Sequence, residues 1–171
     1  MSAQCRVVCR LHKRILAGVF FIVVNPPAFA TSGAPTPILP PCIARLASLG
    51  VTAEPPAAQP TPPLPACVIT EPVALISAAP RAGRPILFPD RPLLSCAMAE
   101  RLARFSVEGA SPMTVTAFGK SLASMSTGPG YECRRRNREA GAKISSHGHG
   151  NAADVMTLEL RGGQKIIVKN P

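Results

Sequence analysis

At 171 residues the chain has room for one modest domain and some additional segments, and no more. Nineteen Lys and Arg against nine Asp and Glu give a net charge of +10, which invites a nucleic-acid reading. One tyrosine, no tryptophan and an export-type N-terminus argue against it, because single strands are held on aromatic platforms. Residues 1–14 carry Arg6, Arg10, Lys13 and Arg14 with no acid, and residues 15–24 form an unbroken apolar run. Ala28-Phe29-Ala30 then supplies the small-x-small pattern of a signal-peptidase site, so residues 1–30 read as a secretory signal peptide. The apolar run is too short for a comfortable membrane span, and no stable span is expected once the signal is removed. Cleavage after Ala30 leaves a net charge of +6 and four cysteines, Cys42, Cys67, Cys96 and Cys133. An oxidising destination, periplasmic or secreted, makes those four disulfide partners, with three connectivities possible.

Residues 31–66 are rich in proline, and 31–41 read as a loose lead-in. Ile43, Leu46 and Leu49 fall at helical spacing before Gly50, which predicts a short helix over 42–50. Six prolines between 51 and 66 predict an extended loop. Residues 67–70 and 73–76 are apolar runs broken by Pro72, consistent with edge strands. Ser95 is placed to cap a helix from Cys96 to about Ser106, with Met98, Leu102 and Phe105 on one face. Ser111-Pro112 starts a second helix whose expected buried stripe is Val115, Phe118, Leu122 and Met125, ending at residues 127–130. Residues 131–135 read as a strand, and Gly162-Gly163 marks a hairpin between 155–160 and 165–168. The sum is an α+β domain, two to three helices packed with a small antiparallel sheet, over residues 67–171. Of the three disulfide connectivities, the expected one joins Cys96 to Cys133, tying the first long helix to the strand after it, and leaves Cys42 for Cys67.

The chemistry is concentrated in residues 144–155, ISSHGHGNAADV. From Ala152 onward a strand would put Ala152, Asp154, Met156, Leu158 and Leu160 on one face, where a bare carboxylate needs a partner. His147 lies on a glycine-flanked loop that can fold back over the start of that strand, and Gly148 and Gly150 permit the sharp path. An imidazole and a carboxylate converging there are two of the three protein ligands a catalytic Zn²⁺ takes. The alternative is an exposed loop with Asp154 held by backbone amides. Nothing resembling a nucleophile elbow surrounds Ser145 or Ser146, so a Ser/His/Asp triad with His147 and Asp154 ranks below zinc. The run Arg134, Arg135, Arg136 and Arg138 is the densest charge, and a solvated basic loop is its commonest explanation.

The skeleton Ser145-x-His147-x-x-Gly150-x-Ala152-x-Asp154 resembles the signature of zinc peptidases that cut D-alanyl-D-alanine bonds of peptidoglycan. The wider stretch is closer still to the bacterial extensin-like C-terminal domain family, a relative of those peptidases, through Cys96-Ala-Met-Ala, Tyr131-Glu-Cys133-Arg134 and the segment from Ser145 to Asp154. The resemblance covers roughly residues 41–168. It implies a peptidase or hedgehog-like fold, Zn²⁺ on His147 and Asp154, peptidoglycan peptides as substrates, and Arg134 beside the metal as a fork for a substrate carboxylate or an oxyanion. Two departures stand out. His149 occupies the position between the first ligand and Gly150, and no histidine follows it, so the third ligand and the base expected from a later segment are missing. The metal site is therefore expected to be incomplete and zinc binding weak, in a chain truncated at its C-terminus. A non-catalytic envelope-binding or structural module is the alternative.

Overall fold

A computed structural model describes residues 40–58 and 62–168. The expected signal peptide and the residues up to 39 lie outside them. α1 (Pro41–Ser48) starts on a proline, which lacks only an N–H the helix would leave unpaired, and buries Cys42, Ile43 and Leu46. Gly50 follows at φ +74° and turns the chain into β1 (Val51–Glu54). β1 is a strand where a loop was expected: its four residues precede the first proline and pair antiparallel with β2 (Pro72–Ala78). β2 is not an edge strand either. β1 lies along one side of it, and β3 (Ile86–Leu87) and β4 (Leu93–Ser95) share the other. Pro72 occupies its first position, where a missing donor is tolerated. Residues 67–70 form no strand.

Ser95 caps α2 (Cys96–Arg104) as expected, its hydroxyl accepting from the Met98 amide. The buried face is Cys96, Ala99, Leu102 and Ala103, while Phe105 is half-exposed. A π-helical turn, Phe105–Ala110, carries the chain directly into α3 (Ser111–Phe118), which stops at left-handed Gly119. Val115 and Phe118 are half-exposed. Leu122 and Met125, expected on the same helical stripe, are instead buried from β5 (Leu122–Ser126). β6 (Thr157–Leu160) and β7 (Lys165–Ile167) form the expected hairpin around Gly162-Gly163.

The domain is α+β, its strands ordered β1-β2-β3-β5-β6-β7 with β4 added beside β2. The sheet is mixed rather than purely antiparallel, because β3 meets β5 in parallel at Leu87 and Ser124. Leu46, Leu75, Ile86, Phe88, Leu94, Leu122, Met125 and Leu160 are essentially inaccessible and form one core. Residues 40–58 contribute to that core and sheet, so this part of the proline-rich segment is folded with the rest.

The disulfides are Cys42–Cys96 and Cys67–Cys133, correcting the expected Cys96–Cys133 and Cys42–Cys67. Once β1 has paired with β2, α1 lies against α2, and Cys42 and Cys96 come to a Cα separation of 6.0 Å. Cys67 meets Cys133 at 5.6 Å. Among the described residues no helix is long and apolar enough to cross a membrane.

Candidate metal-binding site

Three irregular segments converge beyond the ends of β4 and β5. The first, residues 127–130, leaves β5 and is gathered by one carboxylate. Asp90 Oδ2 accepts from Ser126 Oγ at 2.6 Å, from the Thr127 amide at 2.7 Å and from the Gly128 amide at 3.2 Å. The Ser126 hydroxyl above all, with those two amides, outweighs partial desolvation and holds the Asp90 carboxyl below its ordinary 3.8. Gly130 is then laid on β4: its φ is +78°, and a Cβ there would sit 2.7 Å from the Leu93 carbonyl oxygen. Only glycine fits.

The second segment, residues 131–135, is not the expected strand. It is held by isolated bonds instead, among them Tyr131 N–H to the Leu93 carbonyl and a bridge between Arg135 and Ile144. The third is a 3-10 turn, Ser146–His149, which follows Ser145 and ends on left-handed Gly150. Ser145 is buried, and its side chain makes no capping bond. Its backbone ties the turn down, donating to Arg134 O at 2.9 Å and accepting from Gly148 N at 2.9 Å. The Gly150 carbonyl accepts from the Ser95 amide at 2.9 Å, and a Cβ on Gly150 would stand 2.7 Å from that nitrogen. A Cβ on Gly148 would meet Ile144 Cγ2 at 2.6 Å and the Cys67 sulfur at 3.2 Å. The Cys67–Cys133 bridge thus lies directly under the turn that carries His147.

His147 and Asp154 come together as expected, with Nε2 and Oδ2 3.4 Å apart. The other ring nitrogen, Nδ1, is 2.7 Å from the Gly130 carbonyl oxygen. A carbonyl only accepts, so Nδ1 carries a proton, and Nε2 is the nitrogen turned toward Asp154. The ring is 14% exposed and the carboxylate 79%. Asp154 is therefore not on the apolar face. The segment before β6 is irregular, with Ala153 and Val155 packed on the core while Asp154 and Met156 face out, and Leu158 and Leu160 turn inward only after β6 begins. One break in alternation moved the carboxylate to the solvent side.

His147 and Asp154 line a cleft of about 100 Å³ together with Thr127, Gly130, Glu132 and Met156. His149 does not line it: its Nδ1 faces the Val68 carbonyl at 3.3 Å. Arg134 does not line it either. Its Nε donates to Glu132 Oε2 at 2.8 Å, and Arg138 Nη2 donates to Glu132 Oε1 at 2.8 Å. These bonds, that of Arg134 first, outweigh desolvation and hold the Glu132 carboxyl below its ordinary 4.5. Among the described residues no third His, Cys, Asp or Glu completes a metal-binding group.

A family model described as "Extensin-like protein C-terminus" matches residues 41–171. The chain belongs to this family. No curated protein and no solved structure is matched. The extensin-like region opens at α1 and takes in both disulfides, the cleft and the His147–Asp154 pair. Of the side chains that build the cleft, sequence reasoning overlooked Glu132 and Asp90, and it could not name the Gly130 carbonyl. Glu132 carried a signal, since Tyr131-Glu-Cys133-Arg134 is one of the stretches in which the resemblance lies. Asp90 carried none: its partners are more than thirty residues away, and only the fold brings them together.

Proposed function

We propose that the chain is an exported protein of the cell envelope whose extensin-like domain binds Zn²⁺ through His147 and Asp154 and takes peptidoglycan peptides in the adjoining cleft. The reading rests on the His147 ring, with Nδ1 spent on the Gly130 carbonyl and Nε2 3.4 Å from a carboxylate oxygen. Two ligands of one tetrahedral zinc, each at about 2.0–2.1 Å, lie about 3.3–3.4 Å apart. Metal-bound imidazoles donate their other N–H to a carbonyl or carboxylate, the part Gly130 plays here. Imidazole nitrogen with carboxylate oxygen is a zinc donor set. The two disulfides favour an oxidising destination, periplasmic or secreted.

When bound, zinc would polarise a peptide carbonyl and ready a water for attack. The chain's own residues do the positioning. Gly130 fixes the His147 tautomer, Asp90 fixes the loop that presents Gly130, and the Cys67–Cys133 bridge supports the turn beneath His147. Arg134 is held against the cleft residue Glu132, and its remaining N–H groups suit a substrate carboxylate or an oxyanion.

A second reading, a binding module without catalysis, is favoured by Glu132. It is the other acid lining the cleft, and two arginines hold it ionised, so it makes a poor proton acceptor. With two protein ligands and no base among the described residues, weak zinc binding and no turnover are expected. Calorimetric zinc titration beside a muropeptide digestion assay tests both readings. Replacing His147 or Asp154 by Ala should abolish the binding, and replacing His149 should leave it unchanged. Equal affinity in wild type and in both the His147 and Asp154 variants would make the segment a structural loop. Measurable turnover by the secreted protein would refute the non-catalytic reading.

A further inference from the structure

We propose that Glu132 is an internal carboxylate that occupies an arginine fork beside the cleft and competes there with the C-terminal carboxylate of an incoming peptide. The inference rests on the proposed reading only in taking the cleft as the peptide site. Both Glu132 oxygens are engaged, one by Arg134 and one by Arg138, each at 2.8 Å. Glu132 also lines the cleft that His147 and Asp154 share, so this paired carboxylate belongs both to the fork and to the cleft wall. Two guanidinium groups around one carboxylate leave a positive charge in excess, which attracts a further anion.

The two arginines are held differently. Arg134 is 26% exposed, its carbonyl is bonded to Ser145, and its neighbour Cys133 is bridged to Cys67, so its position is fixed by the fold. Arg138 is 75% exposed, and it reaches Glu132 from a backbone in which both Asn137 and Arg138 have positive φ, 53° and 59°. That is a conformation non-glycine residues avoid. Glu132 itself is 44% exposed, with solvent beside its carboxylate. A peptide carboxylate has the same charge and the same two acceptor oxygens, and guanidinium groups pair with either in the same fork geometry. The arrangement is a gate: the ligand group displaces its internal mimic.

The test uses the secreted protein without metal, titrated by NMR with N-acetyl-D-alanyl-D-alanine as the free acid and as its C-terminal amide. The acid should bind and the amide about tenfold more weakly, because the amide offers the arginines no charge. Glu132→Gln should tighten acid binding about three- to tenfold, the range set by two partly exposed ion pairs, and raise the ratio of acid to amide affinity. Arg134→Gln should erase the difference between acid and amide. Acid binding that is absent, unchanged or weakened in Glu132→Gln overturns the proposal, as does an acid preference that survives Arg134→Gln. A parallel zinc titration keeps the two readings apart. Tightening by Glu132→Gln in a protein that binds no zinc would leave the gate standing and remove the metal.

Discussion

Removing the two disulfides separately should give similar losses of stability and different losses of the zinc binding proposed for His147 and Asp154. Cys42 and Cys96 are 54 residues apart and Cys67 and Cys133 are 66 apart. In the chain-entropy account, closing either loop restricts the unfolded chain by about 4 kcal/mol, since the dependence on length is logarithmic. For a folded body of this size, that loss lowers the melting temperature by roughly 10–20 °C. The local consequences diverge. Cys67 Sγ underlies Gly148, in the turn that carries His147, whereas Cys42–Cys96 joins α1 to α2 and neither cysteine lines the cleft. The pair Cys67→Ala with Cys133→Ala should therefore lose both stability and zinc affinity, and Cys42→Ala with Cys96→Ala stability alone. Thermal unfolding with zinc calorimetry below the transition reads both. Equal loss of zinc affinity in the two variants would refute the support assigned to Cys67–Cys133. Peptide mapping that found Cys96 joined to Cys133 would refute the connectivity itself.

Gly150→Ala should cost about 2–4 kcal/mol in denaturant unfolding, because its Cβ would press on the Ser95 nitrogen at 2.7 Å and φ is +64°. Gly162→Ala meets nothing within 4 Å and should cost only its backbone strain at φ +98°, about 1 kcal/mol; equal costs would contradict the contact. Asp90 has a folded carboxyl below 3.8, so its contribution is complete above that value and is lost as pH falls through the lowered one. Asp90→Asn should therefore flatten the fall in stability between about pH 5 and pH 2, with a loss at neutral pH of about 1 kcal/mol or less for so exposed a group; parallel profiles for the two proteins would contradict this. Mass spectrometry of the exported protein should find Thr31 at its N-terminus, and an intact Met1 terminus in the membrane would contradict cleavage.

What the sequence revealed depended on the range of the interactions involved. α1, the Ser95 cap and the Gly162-Gly163 hairpin are local features, and their local signals identified them. β1 was hidden because four residues beside a proline cluster become a strand only by pairing with β2. Leu122 and Met125 continue the helical spacing of α3, but Gly119 at φ +66° ends the helix and returns them to the core from β5. The same local reading paired His147 with Asp154 correctly and put Asp154 on the wrong face, since the irregular step before β6 leaves no trace in composition. The disulfide connectivity depends on α1 lying against α2, a contact the order of the cysteines cannot disclose.

The most direct test of the His147–Asp154 pair is long-range ¹⁵N–¹H NMR of the histidine rings, with the rings neutral and then with zinc added. His147 should be protonated on Nδ1, held by the Gly130 carbonyl, with Nε2 moving to a metal-bound shift on zinc addition while His149 stays put. A His147 ring protonated on Nε2 and indifferent to zinc would contradict it.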